Sequence, residues 1–289
     1  MDAGLSSIKG IHLRRNGDKI EVVRAESETL PAGAADPVAR AQAAQRVAQE
    51  LGFPDVPLVA VLGGPGTILR RVAFPKMNPS ELQSALSFEA EKYIPFKLDE
   101  VFFDFSILND KGNGQMEVLL AAARRELVNE QIELLAPCGV PLAIDLETAA
   151  LANAWEASPA AGEANVTGLL HIGERGTVLD FIHQSQLEFA REIPLQPTER
   201  PSWEEWFGQC RASFDFYEDQ FGRHVEKLAL NGGGARIPGL REWIQETSGL
   251  PAEMWDPFEG FPGGNIAGTE GSKGEFTVVF GSALRGLHG

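Results

Sequence analysis

Five histidines, at positions 12, 171, 183, 224 and 288, fall at no spacing that would put two of them on one metal ion, so a zinc site is not expected. The two cysteines, Cys138 and Cys210, form no Cys-x-x-Cys pair. The chain has no Gly-x-Ser-x-Gly elbow, no lysine-bearing phosphate loop and no His-Glu-x-x-His helix. Acidic neighbours such as Asp99-Glu100 are ordinary in an acid-rich chain and carry no acid–base chemistry by themselves. What remains is a pair of glycine turns that echo each other. Asp2-Ala3-Gly4 leads into a hairpin through Ile8, Ile11 and Leu13, with a turn at Asn16-Gly17 and a return through Ile20 and Val22. His171-Ile172-Gly173 leads into another through Val178 and Phe181, with a turn at Gln184–Gln186 and a return through Leu187 and Phe189. On spacing alone, two unrelated hairpins read equally well. Gly232-Gly233-Gly234, after a short strand, reads as a closely packed strand-to-helix turn. The aromatic group Phe88, Tyr93, Ile94 and Phe96, with Phe102, Phe103 and Phe105, surrounds Pro95. It reads mostly as core, or as one wall of a peptide groove with Glu89, Glu91, Asp99 and Glu100 on its rim.

The elements that must hold these residues alternate between strands and helices. Asp36-Pro37 caps a helix over 38–51 that Gly52 stops, and an apolar strand follows at Val56–Leu62. After the turn at 63–66, Thr67–Phe74 reads as a strand. Asn78-Pro79-Ser80-Glu81 is a capping box for a helix that runs to Ile94-Pro95. Val101–Leu108 and Gln115–Ala123 form a second hairpin. Arg124–Ala136 is helical, Val140–Leu146 a strand and Glu147–Ala157 a helix. Ser158–Val166 has the composition of a boundary. The second half continues with strands at Gly168–Ile172, Thr177–His183 and Leu187–Ile193, and a helix over Ser202–Phe221. A short strand at Leu228–Leu230 and a helix over Gly239–Ser248 follow. Pro257–Gly271 is a Gly- and Pro-rich loop, and Phe276–Leu287 reads as strand or helix. The class is α/β or α+β.

The 289 residues suggest about two domains. Net charge is −16, which disfavours phosphate backbones and anionic headgroups as partners. Apolar runs are too short to span a bilayer, and the first residues lack the pattern of a secretory signal. Isolated cysteines point to a reducing compartment, and the whole to a soluble, cytoplasmic protein.

Several segments, in order, resemble the PilM family, the actin-like proteins of type IV pilus assembly. They are Met1–Lys9, Leu69-Arg70-Arg71-Val72-Ala73-Phe74-Pro75-Lys76-Met77, Phe88-Glu89-Ala90-Glu91-Lys92-Tyr93-Ile94-Pro95-Phe96 with Leu98–Val101, Ala143–Glu147, Ala190–Pro194, Ser213–Tyr217, Asn231–Leu240 and Gly281–Leu287. They cover most of the chain, and the Phe88–Phe96 segment is the most specific. The resemblance implies an α/β, actin-like fold related to FtsA. Two duplicated domains flank a central cleft, and a small α+β subdomain is inserted. Residues 1–66 and 140–157 would form the first half, 67–139 the insert, 166–275 a reduced second half, and 276–289 a closing helix that returns to the first half.

By the same resemblance, Asp2, Gly4, Ser6, Ser7 and Lys9 match the first phosphate loop, Gly173 lies in the second, and Gly232, Gly233 and Gly234 form the adenosine-facing turn. The second loop departs from the pattern, because His171 stands where the family has an aspartate. An imidazole does not replace a hard oxygen ligand for Mg²⁺. The interval between Pro194 and Ser213 is also short. The cofactor expectation is therefore none, or ATP with Mg²⁺ held weakly, and no residue is assigned a catalytic role. The partner implied is the cytoplasmic tail of a PilN-like inner-membrane protein, held between the first subdomain and the insert. Phe88, Glu89, Glu91, Tyr93, Ile94 and Phe96 are its candidate contacts. Nucleic acid and direct membrane insertion are not expected, and a homo-oligomer stays open. An adaptor that binds this tail is the favoured reading. The alternative is an ATP-hydrolysing actin-like protein that switches or polymerises, with a small-molecule kinase third.

Overall fold

A computed structural model describes residues 1–31, 36–110, 112–265 and 273–287. Residues 32–35, 111, 266–272 and 288–289, which include His288 and parts of the 257–271 loop and closing segment, lie outside the described residues. The elements in chain order are β1 (Asp2–Ala3), β2 (Ser7–Asn16), β3 (Lys19–Thr29), α1 (Pro37–Glu50), β4 (Val59–Leu62), β5 (Thr67–Pro75), α2 (Pro79–Glu89), β6 (Val101–Asp110), β7 (Gln115–Arg124) and α3 (Arg125–Leu135). There follow β8 (Ala143–Leu146), α4 (Glu147–Glu156), β9 (Val166–Ile172), β10 (Thr177–His183), β11 (Gln186–Ile193), α5 (Arg200–Phe221), β12 (Lys227–Asn231), α6 (Leu240–Ser248), β13 (Ala252–Met254), β14 (Gly263–Asn265) and α7 (Thr277–Gly286). The short strands β13 and β14 are not anticipated by the sequence pattern.

The chain divides into two compact units, residues 65–130 and the remainder. The larger unit is built twice over. Its first sheet runs β14-β3-β2-β1-β4-β8 and its second β11-β10-β9-β12-β13. In each, the strand that precedes the glycine turn pairs antiparallel with the next strand and parallel with the one beyond the helix. That strand's parallel neighbour in turn pairs parallel with a last strand. Both sheets therefore have the same five-strand order, with β14 added to the first. The two hairpin turns thus occupy equivalent places, one per half.

Local chemistry explains most boundaries. Asp36 accepts a hydrogen bond from the Val38 N–H at the start of α1, and Pro37 sits where a missing N–H costs nothing. α7 is a helix, because every residue of Thr277–Leu284 except the half-buried Ala283 is buried, and the helix packs against α4, β2 and β4. A Cβ at Gly281 would collide with the carbonyl oxygen of Ala150 on α4, so only glycine permits this helix crossing. The last strand of the first half starts at Ala143 rather than Val140, and Val140 is left 88% exposed.

The smaller unit is an antiparallel sheet in the order β5-β7-β6, with α2 packed on it. Its core joins Val72, Phe74, Leu82, Leu86, Ile94, Val101, Val118 and Leu120. Asn78 and Glu81 form both hydrogen bonds of the capping box. The helix ends at Glu89 and tightens into a 3₁₀ turn over Ala90–Lys92, short of the expected end at Ile94. The bias of the residue before Pro95 against helical backbone accounts for this early end. The insert also stops sooner than the expected Gly139. From Gln131 onward α3 belongs to the larger unit: Gln131 Nε2 donates to the Val61 carbonyl at 3.0 Å, and Leu134, Leu135 and Cys138 join the core around Ile8 and Ala43.

Candidate functional site

The cleft between the two halves of the larger unit collects side chains from segments far apart in sequence. In the first turn, β1 and β2 set Asp2 opposite Lys9. The carbonyl of Ala3 accepts from Arg40 Nη2 at 2.9 Å, and that of Gly4 from the same nitrogen at 3.2 Å. Ser6 is exposed and Ser7 half-buried. In the second turn, the Gly173 N–H donates to the Gly176 carbonyl at 2.9 Å. Arg175, in this turn, reaches back across the cleft and donates from Nη2 to the Ala3 carbonyl at 3.3 Å.

His171 is 7% exposed at the end of β9. Its Nδ1 meets Oδ1 of Asn231 in a short hydrogen bond, and its Nε2 lies 3.3 Å from Oε1 of Glu147. Glu147 opens α4 in the first half, whereas His171 and Asn231 belong to the second. Burial pushes the Glu147 carboxyl up to about 8, with the charges of Asp2 and Glu192 adding to the shift and Arg175 and Lys9 opposing it. Burial also lowers His171 to about 4, so the imidazole is neutral at pH 7. The carboxyl and the imidazole beside it therefore both resist charge. Glu192 Oε1 accepts from the Gly64 N–H at 3.3 Å, a further contact across the cleft.

Asp180 on β10 is fully buried, and neither carboxylate oxygen has a partner among the described residues. Desolvation raises its pKa well above the usual range, and Glu147 and Glu192 add to the effect. Asp145 is also buried, and Arg285 of α7 donates to it at 2.7 Å. Among the described residues, no group of three His, Cys, Asp or Glu side chains is arranged to hold a metal ion.

Gly232 and Gly234 have a packing reason. Gly232 has φ +85°, and a Cβ at either position would run into Ile172 of the second turn. The position of Gly233 faces Glu275, which pairs with Arg236 at 3.5 Å. The three glycines thus form the close strand-to-helix turn.

The aromatic segment of the insert does not stay together as one surface. Phe88 is 86% exposed, whereas Ile94 is 1% exposed and lies in the core, which removes it as a surface contact. Tyr93 is half-buried against Phe74, with ring centroids 5.7 Å apart. Phe96 is half-buried beneath the Arg124 guanidinium, 4.6 Å from its centroid. Glu89 pairs with Lys92 at 3.2 Å, and Glu91 is exposed. Phe102 is partly exposed, with Arg125 4.1 Å above its ring.

Five of the cleft residues escaped sequence reasoning as site residues: Glu147, Arg175, Asp180, Glu192 and Asn231. Glu147, Glu192 and Asn231 did lie inside matched segments, and the alternation of β10 puts Asp180 on the face of Val178 and Ile182, where a charge is out of place.

Two halves of identical strand order, each with a glycine turn facing a shared cleft, define a duplicated, actin-like protein. The family model described as type IV pilus assembly protein PilM matches residues 1–196, and the chain belongs to that family. The structure is similar to one described as a PilM–PilN type IV pilus biogenesis complex, with 27% identity and a TM-score of 0.86 over 99% of this chain and 97% of that one. It has a lower likeness, with a TM-score of 0.49 and 16% identity, to the cytoplasmic domain of EpsL, an inner-membrane component of the Vibrio cholerae type II secretion system. That match covers 96% of this chain and 95% of the other. Among the described residues, no helix is long and apolar enough to cross a membrane.

Proposed function

We propose that this protein is a scaffold of type IV pilus assembly that holds the cytoplasmic tail of a PilN-like inner-membrane partner and works without a hydrolysed nucleotide. The observation that carries this reading is the likeness, along almost the whole chain, to the PilM–PilN complex. The Phe88 ring, exposed beside Glu89 and Glu91 on a chain of net charge −16, supports it. Membrane-proximal cytoplasmic tails tend to be basic, so the charge favours such a tail and disfavours the anionic leaflet behind it. Membrane association then comes through the partner. Burial of two or three apolar tail side chains is worth ~1.5–3 kcal/mol each, partly offset by ordering the peptide, which suits micromolar affinity.

Mg-ATP is a poor fit to the cleft. The position that should present a metal-side carboxylate is a neutral imidazole hydrogen-bonded through Nδ1 to Asn231. The nearby carboxyl, Glu147, is held protonated by burial and by negative neighbours, and that field repels a polyphosphate. An ATP-driven switch therefore lacks its metal anchor.

A fluorescent peptide with the partner's basic tail sequence, titrated by anisotropy at two salt concentrations, tests the reading. Binding should weaken with salt, and Phe88→Ala combined with Glu89→Lys should lower affinity about tenfold or more. Affinity unchanged in that variant would remove the Phe88 surface as the docking point. Calorimetry should detect no micromolar Mg-ATP binding. Micromolar affinity would return the ATP-switch reading.

A further inference from the structure

Two loops enter the first sheet at the end away from the cleft. Residues 52–58 lead into β4 and residues 139–142 into β8, and these two strands run parallel. The loops lie side by side. The Leu142 N–H donates to the Leu58 carbonyl at 2.7 Å, and a Cβ at Gly139 would come within 2.9 Å of the Phe53 ring. Beside them is a cavity of about 130 Å³ lined by Leu51, Phe53, Val56, Leu58 and Leu287, with His12 as its polar side chain. A cavity of about 150 Å³ holds a benzene molecule, so this one is sized for a single apolar side chain. Val140 and Leu142, 88% and 64% exposed, form a ridge next to these lining residues.

The electrostatics of this face are one-sided. Leu51 closes α1 and Leu287 closes α7, and both line the cavity. The 3₁₀ turn that follows α3 ends at Cys138, beside Gly139. Helix C-termini carry partial negative charge. Neither α1 nor α3 has a basic residue in its last turn to offset it, and Arg285 of α7 is paired with Asp145. Residues 47–69 and 126–142 contain no lysine or arginine, while Asp55, Glu130 and Glu133 are exposed. Arg24 is held by Glu26 and Glu50. On the far side β2 runs past Leu13 into Arg14 and Arg15, so the negative side of the face is the ridge side.

We propose that this face is a second docking surface, which takes a basic amphipathic helix from a partner protein. One apolar side chain of the helix fills the cavity, others cover Val140 and Leu142, and lysine or arginine lies toward the helix ends and the exposed acids. The loops favour a helix over an extended segment. Pro54, Pro57 and Pro141 offer no N–H, so an added strand would find few backbone partners, whereas a helix satisfies its own. The same negative field repels a second copy of this face and an anionic lipid surface. The surface belongs to the larger unit and stands apart from any peptide contact at Phe88 on the insert.

The probe is a short fluorescent peptide of leucine and lysine with all its leucines on one helical face, titrated by anisotropy against the full chain. A control peptide has the same composition with the leucines scattered round the helix. The patterned peptide should bind about tenfold or more tightly than the control. Val140→Glu combined with Leu142→Glu should remove that preference, and Phe88→Ala should leave it unchanged. Asp55→Lys combined with Glu133→Lys should weaken binding a few-fold and reduce its salt dependence. Equal affinity for the two peptides overturns the proposal, and so does a preference that survives the ridge variant. The peptide comparison on the wild-type chain decides the matter even where the ridge variant does not fold. Sedimentation velocity and flotation with phosphatidylglycerol vesicles test the other occupants. A dimer, or vesicle binding, that the ridge variant abolishes would assign the face to a second copy or to lipid, and either overturns the proposal.

Discussion

The cleft and the end of α2 treat their chemistry-bearing residues in opposite ways. In the cleft, the buried imidazole of His171 and amide of Asn231 are turned toward each other, with the partly exposed Glu147 carboxyl beside them. At the end of α2, one large aromatic ring projects into solvent while its neighbours at 93, 94 and 96 pack inward. The first arrangement consumes its own binding groups and leaves little to offer a ligand. The second leaves apolar surface that has no internal reason to be exposed. Matching the family's motif residues does not distinguish the two cases; burial does.

The sharpest test of this contrast lies within the Phe88–Phe96 segment. Ile94→Ala should cost about 2–5 kcal/mol in urea unfolding, because it leaves a hole in the core of the insert. Phe88→Ala should stay within about 0.5 kcal/mol. Equal losses would mean that the segment is uniformly buried.

In the cleft, Asp180→Asn removes a carboxyl with unpartnered oxygens and should stabilise the protein by roughly 1–3 kcal/mol at pH 8. The gain should shrink toward pH 5. The folded value of Asp180 is raised, so its ionisation disfavours the folded state more as pH rises. Thermal melts at the two pH values measure the difference.

Glu147→Gln should flatten one limb of the stability profile. Glu147 is raised from 4.5 to about 8, so its contribution is full below about 4.5 and is lost as pH rises toward 8. His171 is lowered from 6.5 to about 4, so its contribution is lost as pH falls through that window. Between 4.5 and 6.5 the two slopes oppose each other. At higher pH Asp180, raised well above its usual range, adds to the Glu147 decline, and the buried Met1 amine, lowered from 8.0 to about 6, opposes it. Chemical denaturation at steps across that range should show a shallower decline in the variant than in the wild type. The smallest expected effect is that of Glu89→Lys alone. Loss of the exposed pair with Lys92 should change stability by under about 1 kcal/mol, while peptide affinity falls a few-fold and loses part of its salt dependence.

Much of the fold was legible because its signals are local. The Asn16-Gly17 turn, the Asp36 cap and the Asn78–Glu81 box each lie within a few residues of what they control. The ambiguous Phe276–Leu287 run was not, since an apolar stretch buried on most sides loses the period that marks a helix. The glycine turns of the cleft could be found from sequence, but the residues between them could not. Glu147, His171 and Asn231 meet from α4, β9 and β12, and no spacing along the chain encodes that meeting. Phe88 could have been separated from Ile94. On a helix it lies well away from the stripe formed by Leu82, Leu86 and Ala90, and the shared aromatic composition of the segment masked that difference.

The contact between Gly281 and the Ala150 carbonyl bears on the order of assembly during synthesis. The first half contains strands from the opening residues and a helix, α7, that is synthesised after the whole second half, so its core around Val279 and Phe280 cannot close until α7 has emerged. The sheet of the second half, from β9 to β13, is contiguous in sequence and has all its strands much earlier. The nascent chain therefore holds a preformed second half beside an N-terminal hairpin that waits for its lid. The slow, long-range step of folding is the docking of α7 onto α4, across a loop of more than a hundred residues.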